Sequence, residues 1–180
     1  MPRRKLFVIV GSASVNSSNE RLVNHLIRHM PDFQFIVFNR LDGLPPFNPE
    51  KSIQDPPQAI REFRKNIEEA DGVIICTPEY IFSIPSGLKN AFEWCVATTV
   101  FSDKPTALIT ASADGRKGHE ELQLIVRTLM GRFSADNALL ISGIKGKINV
   151  AGIITDPKTA EALDRFMHAL RLTFESVDHS

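Results

Sequence analysis

Short runs of apolar, often β-branched residues alternate along the chain with stretches whose apolar residues recur every three or four positions. The short runs are residues 6–10, 35–38, 73–77 and 106–111, with a fifth at either 138–142 or 148–153. Continuous apolar runs of this length predict strands buried on both faces, and the recurring spacing predicts amphipathic helices. One of these two segments is expected to be the fifth strand, and the remaining one is expected to form a hairpin or an edge extension.

The alternation of strands and helices predicts a parallel sheet covered by helices on both faces. Helical spacing covers residues 22–30, 59–70, 88–95, 122–133 and 163–174, and the proline-rich residues 41–57 are expected to form an ordered loop. Five such units in 180 residues predict one α/β domain over residues 1–180, a flavodoxin-like three-layer sandwich with a five-stranded parallel sheet of order 2-1-3-4-5. Ligands of such sheets bind at the carboxyl ends of the strands, where the strand order reverses. We therefore expect a site in the loops after strands 1, 3 and 4.

The charge and hydropathy of the chain exclude two kinds of partner. The 21 basic and 21 acidic residues give a net charge of zero, which argues against nucleic acid because its binding usually needs a basic surface. No uncharged apolar run approaches the roughly 20 residues of a membrane span, so no membrane partner is expected. The basic residues before residues 6–10 precede an apolar run that is too short for a secretory signal.

The cysteines and histidines point to neither a disulfide scaffold nor a metal site. Cys76 and Cys95 are the two cysteines and lack metal-ligand spacing, so a reduced, cytoplasmic setting is expected. His25 and His29 stand four residues apart, but no glutamate completes an H-E-x-x-H motif. We expect these histidines on a solvated helix face.

The loop after the first strand reads GSASVNSSN at residues 11–19 and is rich in hydroxyl and amide groups. Such groups, placed beside the unpaired backbone N–H groups of a helix N-terminus, form a cradle for phosphate. The alternative is that Ser18 or Asn19 only caps the helix. A nucleoside-triphosphate loop is excluded because no lysine is present, and a dinucleotide loop because the segment has one glycine. A monophosphate site remains.

The loop after the third strand, residues 77–85, is stiffened by a proline near each end. Tyr80 and Phe82 provide aromatic area beside backbone polar groups, which suits a planar heterocycle on a phosphate tail. The alternative is that Phe82 and Ile84 are core or interface residues.

Both loops resemble the motifs of one family, the NADPH-dependent FMN reductases, which include quinone, azo-dye and chromate reductases. The first loop resembles G-S-x-R-x-x-S-x-N, and the second resembles P-E-Y-N-x-S-I-P-x-x-L-K-N-A-x-x-W, which here reads PEYIFSIPSGLKNAFEW over residues 78–94. The resemblance implies FMN as the cofactor, NADPH or NADH as co-substrate, and a small-molecule electron acceptor. It places these residues at the cofactor: Ser12, Ser14, Ser17 and Asn19 at the phosphate, and Pro78, Glu79, Tyr80, Ile81, Phe82, Ser83, Ser112 and Gly115 around the ring.

Two positions depart from these motifs. Ser14 stands where the family has arginine, and Ile81 where it has asparagine. Charged hydrogen bonds contribute about 1.5–3 kcal/mol, so the missing arginine predicts FMN binding that is about tenfold or more weaker. Arg21 and Arg116 are the candidates for replacing its charge. Phe82 is expected to stack near the flavin or to narrow the access of the nicotinamide.

The expected activity is that of a flavin oxidoreductase acting on quinone, azo, nitro or metal-ion acceptors. Because the flavin carries this chemistry, no catalytic side chain is expected, and Glu79 is expected to turn its carboxylate away from the ring. The resemblance also implies a homodimer or homotetramer, with the helix that carries Phe92 and Trp94 as a candidate part of the interface. A flavodoxin-like electron carrier and a binding protein with a degraded flavin site are the alternatives, and the neutral charge counts against the carrier.

Overall fold

The computed structural model describes residues 3–175, which are built around a five-stranded sheet. The strands are β1 (Lys5–Val10), β2 (Gln34–Phe38), β3 (Gly72–Thr77), β4 (Thr106–Ser112) and β5 (Ala138–Ser142). Neighbouring strands are parallel and their order is β2-β1-β3-β4-β5, which confirms the predicted topology. Every residue of β3 is buried, because this central strand is covered on both faces. The predicted domain boundaries, residues 1–180, include residues 1–2 and 176–180, which lie outside the described residues.

Six α-helices occur within residues 3–175 and form the two outer layers. They are α1 (Ser18–His29), α2 (Pro49–Gln54), α3 (Gln58–Glu69), α4 (Ser86–Glu93), α5 (Arg116–Thr128) and α6 (Pro157–Glu175). Helices α1 and α6 pack on the face of the sheet that presents Val8 and Ile109. Helices α3, α4 and α5 pack on the opposite face, which presents Phe7 and Leu108. In this part of the chain, no helix is both long and apolar enough to cross a membrane.

The fifth strand is formed by Ala138–Ser142, which pairs with β4, and residues 148–153 lie outside the sheet. The second segment forms a small hairpin that is closed by an isolated antiparallel bridge between Ile148 and Ile154. Its turn contains Gly152 at a φ of +74°, and the Ile153 N–H donates to Asn149 Oδ1 at 3.0 Å. An asparagine and a left-handed glycine favour a turn at this position.

The proline-rich segment is partly helical, so the prediction of a loop over all of residues 41–57 is wrong. A 3₁₀ turn covers Leu41–Gly43, and α2 begins at Pro49. Asn48 caps α2, since its side chain accepts a hydrogen bond from Lys51 N at 2.9 Å. A cap followed by proline at the first helical position is a strong start signal.

Helix α4 holds the beginning of this proline-rich segment against the core. Asn90 Oδ1 accepts from Phe47 N at 2.8 Å, and Asn90 Nδ2 donates to Pro45 O at 3.1 Å. Trp94 Nε1 donates to the same carbonyl at 2.8 Å. The K-N-A-x-x-W part of the second motif therefore has a structural role, because it satisfies the backbone of a segment that forms no sheet or helix there.

The aromatic residues of α4 are not available to a partner subunit. Phe92 is 2% exposed and Trp94 is 1% exposed, and both pack in the core of their own chain. The role of α4 as a candidate part of a subunit interface stays a prediction, because other side chains would have to form that contact. The apolar stripe of an amphipathic helix packs on the core of its own domain and is then not available to a partner subunit.

We predict that Asn90→Ala lowers the free energy of unfolding by about 2 kcal/mol, because two hydrogen bonds are lost and the Phe47 N–H is left unsatisfied. Urea denaturation measures this change. Asn66→Ala is the matched control, since Asn66 is a half-buried helical asparagine whose side chain makes one solvent-exposed hydrogen bond, to Glu62 O. The control should change stability by less than about 0.5 kcal/mol, and equal effects of the two variants would contradict the role of Asn90.

Candidate functional site

The loops after β1, β3 and β4 meet at the carboxyl edge of the sheet. Gly11 N donates to Cys76 O at 2.8 Å, and Ser112 Oγ donates to Glu79 O at 3.2 Å. A Cβ on Gly11 would lie 2.2 Å from Thr77 Oγ1, so only glycine allows this approach of the first loop to β3. Because parallel strands end at one edge, the three predicted loops are brought together.

Ser17 is the N-cap of α1, in place of the predicted alternatives Ser18 and Asn19. Ser17 Oγ accepts from Glu20 N at 3.1 Å, and the Glu20 carboxylate accepts from Ser17 N at 3.2 Å. These two bonds form a capping box. Since its hydroxyl oxygen accepts the capping bond, Ser17 retains its O–H for donation to a ligand.

Ser12 and Ser14 add further hydroxyl groups to the first loop. Ser12 Oγ accepts from Ser14 N at 3.2 Å, so the Ser12 hydroxyl likewise retains its O–H. Ser14 is exposed and lines the same cleft as Ser12. Hydroxyl donors at the N-terminus of α1 fit a phosphate dianion, because the helix dipole favours negative charge there.

Asn19 is 3% exposed and uses its side chain inside the protein. Its Nδ2 donates to Ala111 O at 3.2 Å, and its Oδ1 accepts from Cys76 Sγ at 3.4 Å. These bonds tie α1 to both β3 and β4. The predicted contact of Asn19 with phosphate stays a prediction, and the second amide hydrogen and the backbone N–H are the donors left to make it.

A cleft of about 460 Å³ lies between the first loop, residues 39–42 after β2, and the start of α4. Ser12, Ser14 and Tyr80 line it together with Arg40. Arg40 was not among the predicted site residues. The predicted strand order could have indicated it, because that order places the end of β2, which Arg40 follows, beside the end of β1. This volume is in the range of small-molecule sites.

The two arginines predicted to replace the missing charge are both engaged elsewhere. Arg21 Nη1 donates to Asn149 O at 3.1 Å, and Arg116 Nε pairs with Asp114 Oδ1 at 2.8 Å. Arg40 lines the cleft and pairs with Asp42 Oδ1 at 3.3 Å. Of these three arginines, Arg40 is the one that lines the cleft with Ser12 and Ser14, whereas Arg21 Nε donates to Ser17 O at 3.4 Å.

Residues 80–83 form a tight turn in an unfavourable backbone conformation, and we call them the ring-loop turn. Tyr80 N donates to Ser83 O at 2.8 Å and Ser83 N donates to Tyr80 O at 3.1 Å. Ile81 and Phe82 have φ angles of 51° and 60°, the pattern of a type I′ turn that normally takes Asn-Gly. Left-handed backbone costs L-residues about 1–2 kcal/mol each.

The two central side chains of the ring-loop turn point outward. Ile81 is 95% exposed and Phe82 is 73% exposed. Phe82 is therefore not a core residue, and the alternative that it is an interface residue stays a prediction. Ile84 is buried, as expected for a core residue. Strained backbone that carries exposed apolar side chains at a ligand-binding edge is a signature of function.

Glu79 joins the ring-loop turn to α5. Its carboxylate accepts from Gly118 N at 2.7 Å and from Gly115 N at 3.4 Å. The side chain thus lies at the N-terminus of α5, where negative charge is stabilised by the helix dipole. Three of the residues predicted to surround one ring are therefore neighbours in the fold: Glu79, Ser112 and Gly115. Pro78, which directly precedes Glu79, is buried.

Burial shifts the pKa values of two thiols and one histidine in the core. Burial raises the pKa of the Cys76 thiol far above its ordinary value, and burial raises the pKa of Cys95 to about 12. Neither thiol forms a reactive thiolate near neutral pH. Burial also lowers the pKa of His119, whose Nδ1 lies 2.9 Å from Thr110 Oγ1.

Comparison with known proteins identifies the family. A sequence model of the family described as NADPH-dependent FMN reductase matches residues 4–143. The chain belongs to this family. It is 29% identical over 174 residues to an NAD(P)H-dependent FMN reductase of Pseudomonas aeruginosa, covering 93% of this chain and 94% of the relative. It is 38% identical over 112 residues to a 2-hydroxy-1,4-benzoquinone reductase of a Burkholderia species, covering 60% of each chain.

A solved structure shares the whole architecture. It is the flavoenzyme NAD(P)H:(acceptor) oxidoreductase of Paracoccus denitrificans, with a TM-score of 0.81 and 25% sequence identity, covering 93% of this chain and 94% of that chain. The predicted family, the oxidoreductase class, and FMN with NADH or NADPH are confirmed. The roles of the individual site residues stay predictions.

We predict that Ile81→Asn raises the free energy of unfolding by about 1 kcal/mol, because asparagine tolerates left-handed backbone and isoleucine does not. Thermal and urea unfolding of the flavin-free protein measure this change. Val150→Asn is the matched control, since Val150 is β-branched, 93% exposed and has no positive φ. A stability gain at residue 150 equal to that at residue 81 would show that the turn is not strained.

Proposed function

We propose that this flavoenzyme passes hydride from NADH or NADPH, through FMN, to a planar aromatic acceptor of the quinone class. The observation that carries the proposal is the ring-loop turn, whose exposed Ile81 and Phe82 stand beside Tyr80 at the predicted ring site. Apolar and aromatic walls favour flat, uncharged acceptors. The similarity to a 2-hydroxy-1,4-benzoquinone reductase supports the same class.

The charges around the site favour an uncharged acceptor over a metal-ion acceptor such as chromate, which is an anion. Arg40 is paired with Asp42, and Arg116 is paired with Asp114. Each pair cancels much of the positive field that would attract an anion. Azo and nitro compounds, which are also flat, stay within the proposal as slower acceptors.

The residues of this chain bind and orient, whereas bound FMN supplies the hydride chemistry. We assign the phosphate to the hydroxyl groups of Ser12, Ser14 and Ser17, at the positive end of α1. The carboxylate of Glu79 joins the ring loop to α5, which places the turn beside the predicted ring site. Ile81 and Phe82 add exposed apolar surface to the same loop.

The experiment that tests the proposal is an FMN titration of flavin-free protein followed by an acceptor screen. Quenching of flavin fluorescence should saturate at one FMN per chain. NAD(P)H oxidation should then be faster with benzoquinones than with azo dyes, nitroaromatics, chromate or ferric salts. Tight FMN without NAD(P)H oxidation would indicate the electron carrier, and failure to bind FMN would indicate the degraded site.

We predict that Ser14→Arg tightens FMN binding about tenfold, since it adds a charged hydrogen bond to the phosphate. Fluorescence titration at fixed ionic strength measures the dissociation constant. Ser134→Arg is the matched control, because Ser134 is exposed but precedes β5, at the opposite edge of the sheet. Equal tightening in both variants would indicate a general charge effect, and an unchanged constant in Ser14→Arg would contradict the phosphate assignment.

The assembly and cellular setting belong to the same proposal. A homodimer or homotetramer would cover Ile81 and Phe82, which the single chain exposes. Sedimentation equilibrium of the holoenzyme measures this state. The cysteines are free and buried, which supports a reducing, cytoplasmic setting.

A further inference from the structure

A second carboxylate links α5 to the ring-loop turn. Glu79 extends from the ring loop to α5, whereas Glu121 extends from α5 to the ring loop. Glu121 Oε2 accepts from Ser83 Oγ at 2.6 Å and from Ile84 N at 2.9 Å. Both bonds end on residues that directly follow Ile81 and Phe82. Hydrogen bonds to a carboxylate are roughly twice as strong as neutral ones.

The local sequence by itself does not favour the turn that these bonds hold. Ile81 and Phe82 are bulky residues with positive φ angles. A type I′ turn that forms by local sequence preference alone usually has Asn-Gly at these two positions. A strained segment persists only where its surroundings determine it. The two bonds from Glu121 fix the end of this turn from outside.

Glu121 also sets the polarity of the Ser83 hydroxyl. A carboxylate can only accept, so the Ser83 O–H is directed to Glu121. The Ser83 oxygen then presents only lone pairs to the site. It can therefore accept a hydrogen bond from a ring N–H but cannot donate one.

We propose that Glu121 is a positioning residue whose carboxylate holds the ring-loop turn in the conformation that binds the flavin ring. The proposal rests on the function proposed above only in that the ring lies against this turn. Without Glu121, the turn relaxes to backbone conformations that suit isoleucine and phenylalanine. The apparent affinity for FMN then falls in proportion to the fraction of molecules whose turn has the binding conformation.

The first experiment compares Glu121→Ala with Glu120→Ala, its matched control. Glu120 is exposed on the same helix, and its carboxylate pairs with Lys117 Nζ at 2.8 Å. In flavin-free protein, Glu121→Ala should accelerate hydrogen exchange of the Tyr80 and Ser83 amides about tenfold, because these amides close the turn. In the titration, FMN should bind about tenfold more weakly. Glu120→Ala should change neither quantity, and Glu121→Gln, which keeps an accepting oxygen, should recover most of the loss.

The second experiment tests whether Glu121 acts through the strained turn. Ile81→Asn combined with Phe82→Gly installs the pair that forms a type I′ turn unaided. In that background, adding Glu121→Ala should change amide exchange and FMN affinity by less than about threefold. A structural role of Glu121 in α5 alone would give the same loss in both backgrounds.

These outcomes separate the positioning role from the proposed function. Equal effects of Glu121→Ala in both backgrounds, or unchanged exchange in the native turn, would overturn the positioning role. Failure of the unmodified chain to bind FMN would overturn the proposed function. In that case, the exchange of the Tyr80 and Ser83 amides still decides whether Glu121 holds the turn.

Discussion

The close approach of β1 to β3 at their carboxyl ends is the contact on which the site depends. Gly11 N reaches Cys76 O at 2.8 Å, and any side chain on Gly11 would collide with Thr77. This approach places a hydroxyl-rich loop beside an aromatic loop where the strand order reverses. Because both loops leave fully buried strand ends, the core fixes their first residues and only their tips remain for the ligand.

The pattern of apolar residues predicts strands and helices that are buried along their whole length. It does not predict an element whose formation depends on a single contact. β3 is predictable because all of its residues are apolar or small and buried. Residues 138–142 and 148–153 are both rich in apolar residues. Pairing with β4 selects the first, whereas Asn149 and Gly152 favour a turn in the second. Helix α2 depends on the single cap Asn48, within a segment whose prolines indicate a loop.

The same distinction separates the predictable and unpredictable parts of the site. The two motif loops are continuous in sequence, so their residue types indicate the family without a structure. Arg40 and Glu121 belong to neither motif, and they reach the site because β2 adjoins β1 and α5 adjoins the ring-loop turn. Phe92 and Trp94 lie in the stretch of helical spacing at residues 88–95, and the packing of α4 on the sheet buries both side chains in the core.

The ring-loop turn has a consequence for the chain before it acquires its cofactor. Its most exposed apolar side chain, Ile81, sits on backbone that isoleucine does not favour. Segments of low local stability open first, and an open segment is what proteases cleave and what neighbouring chains adhere to. A ligand bound against the turn would therefore protect the chain from cleavage and from self-association.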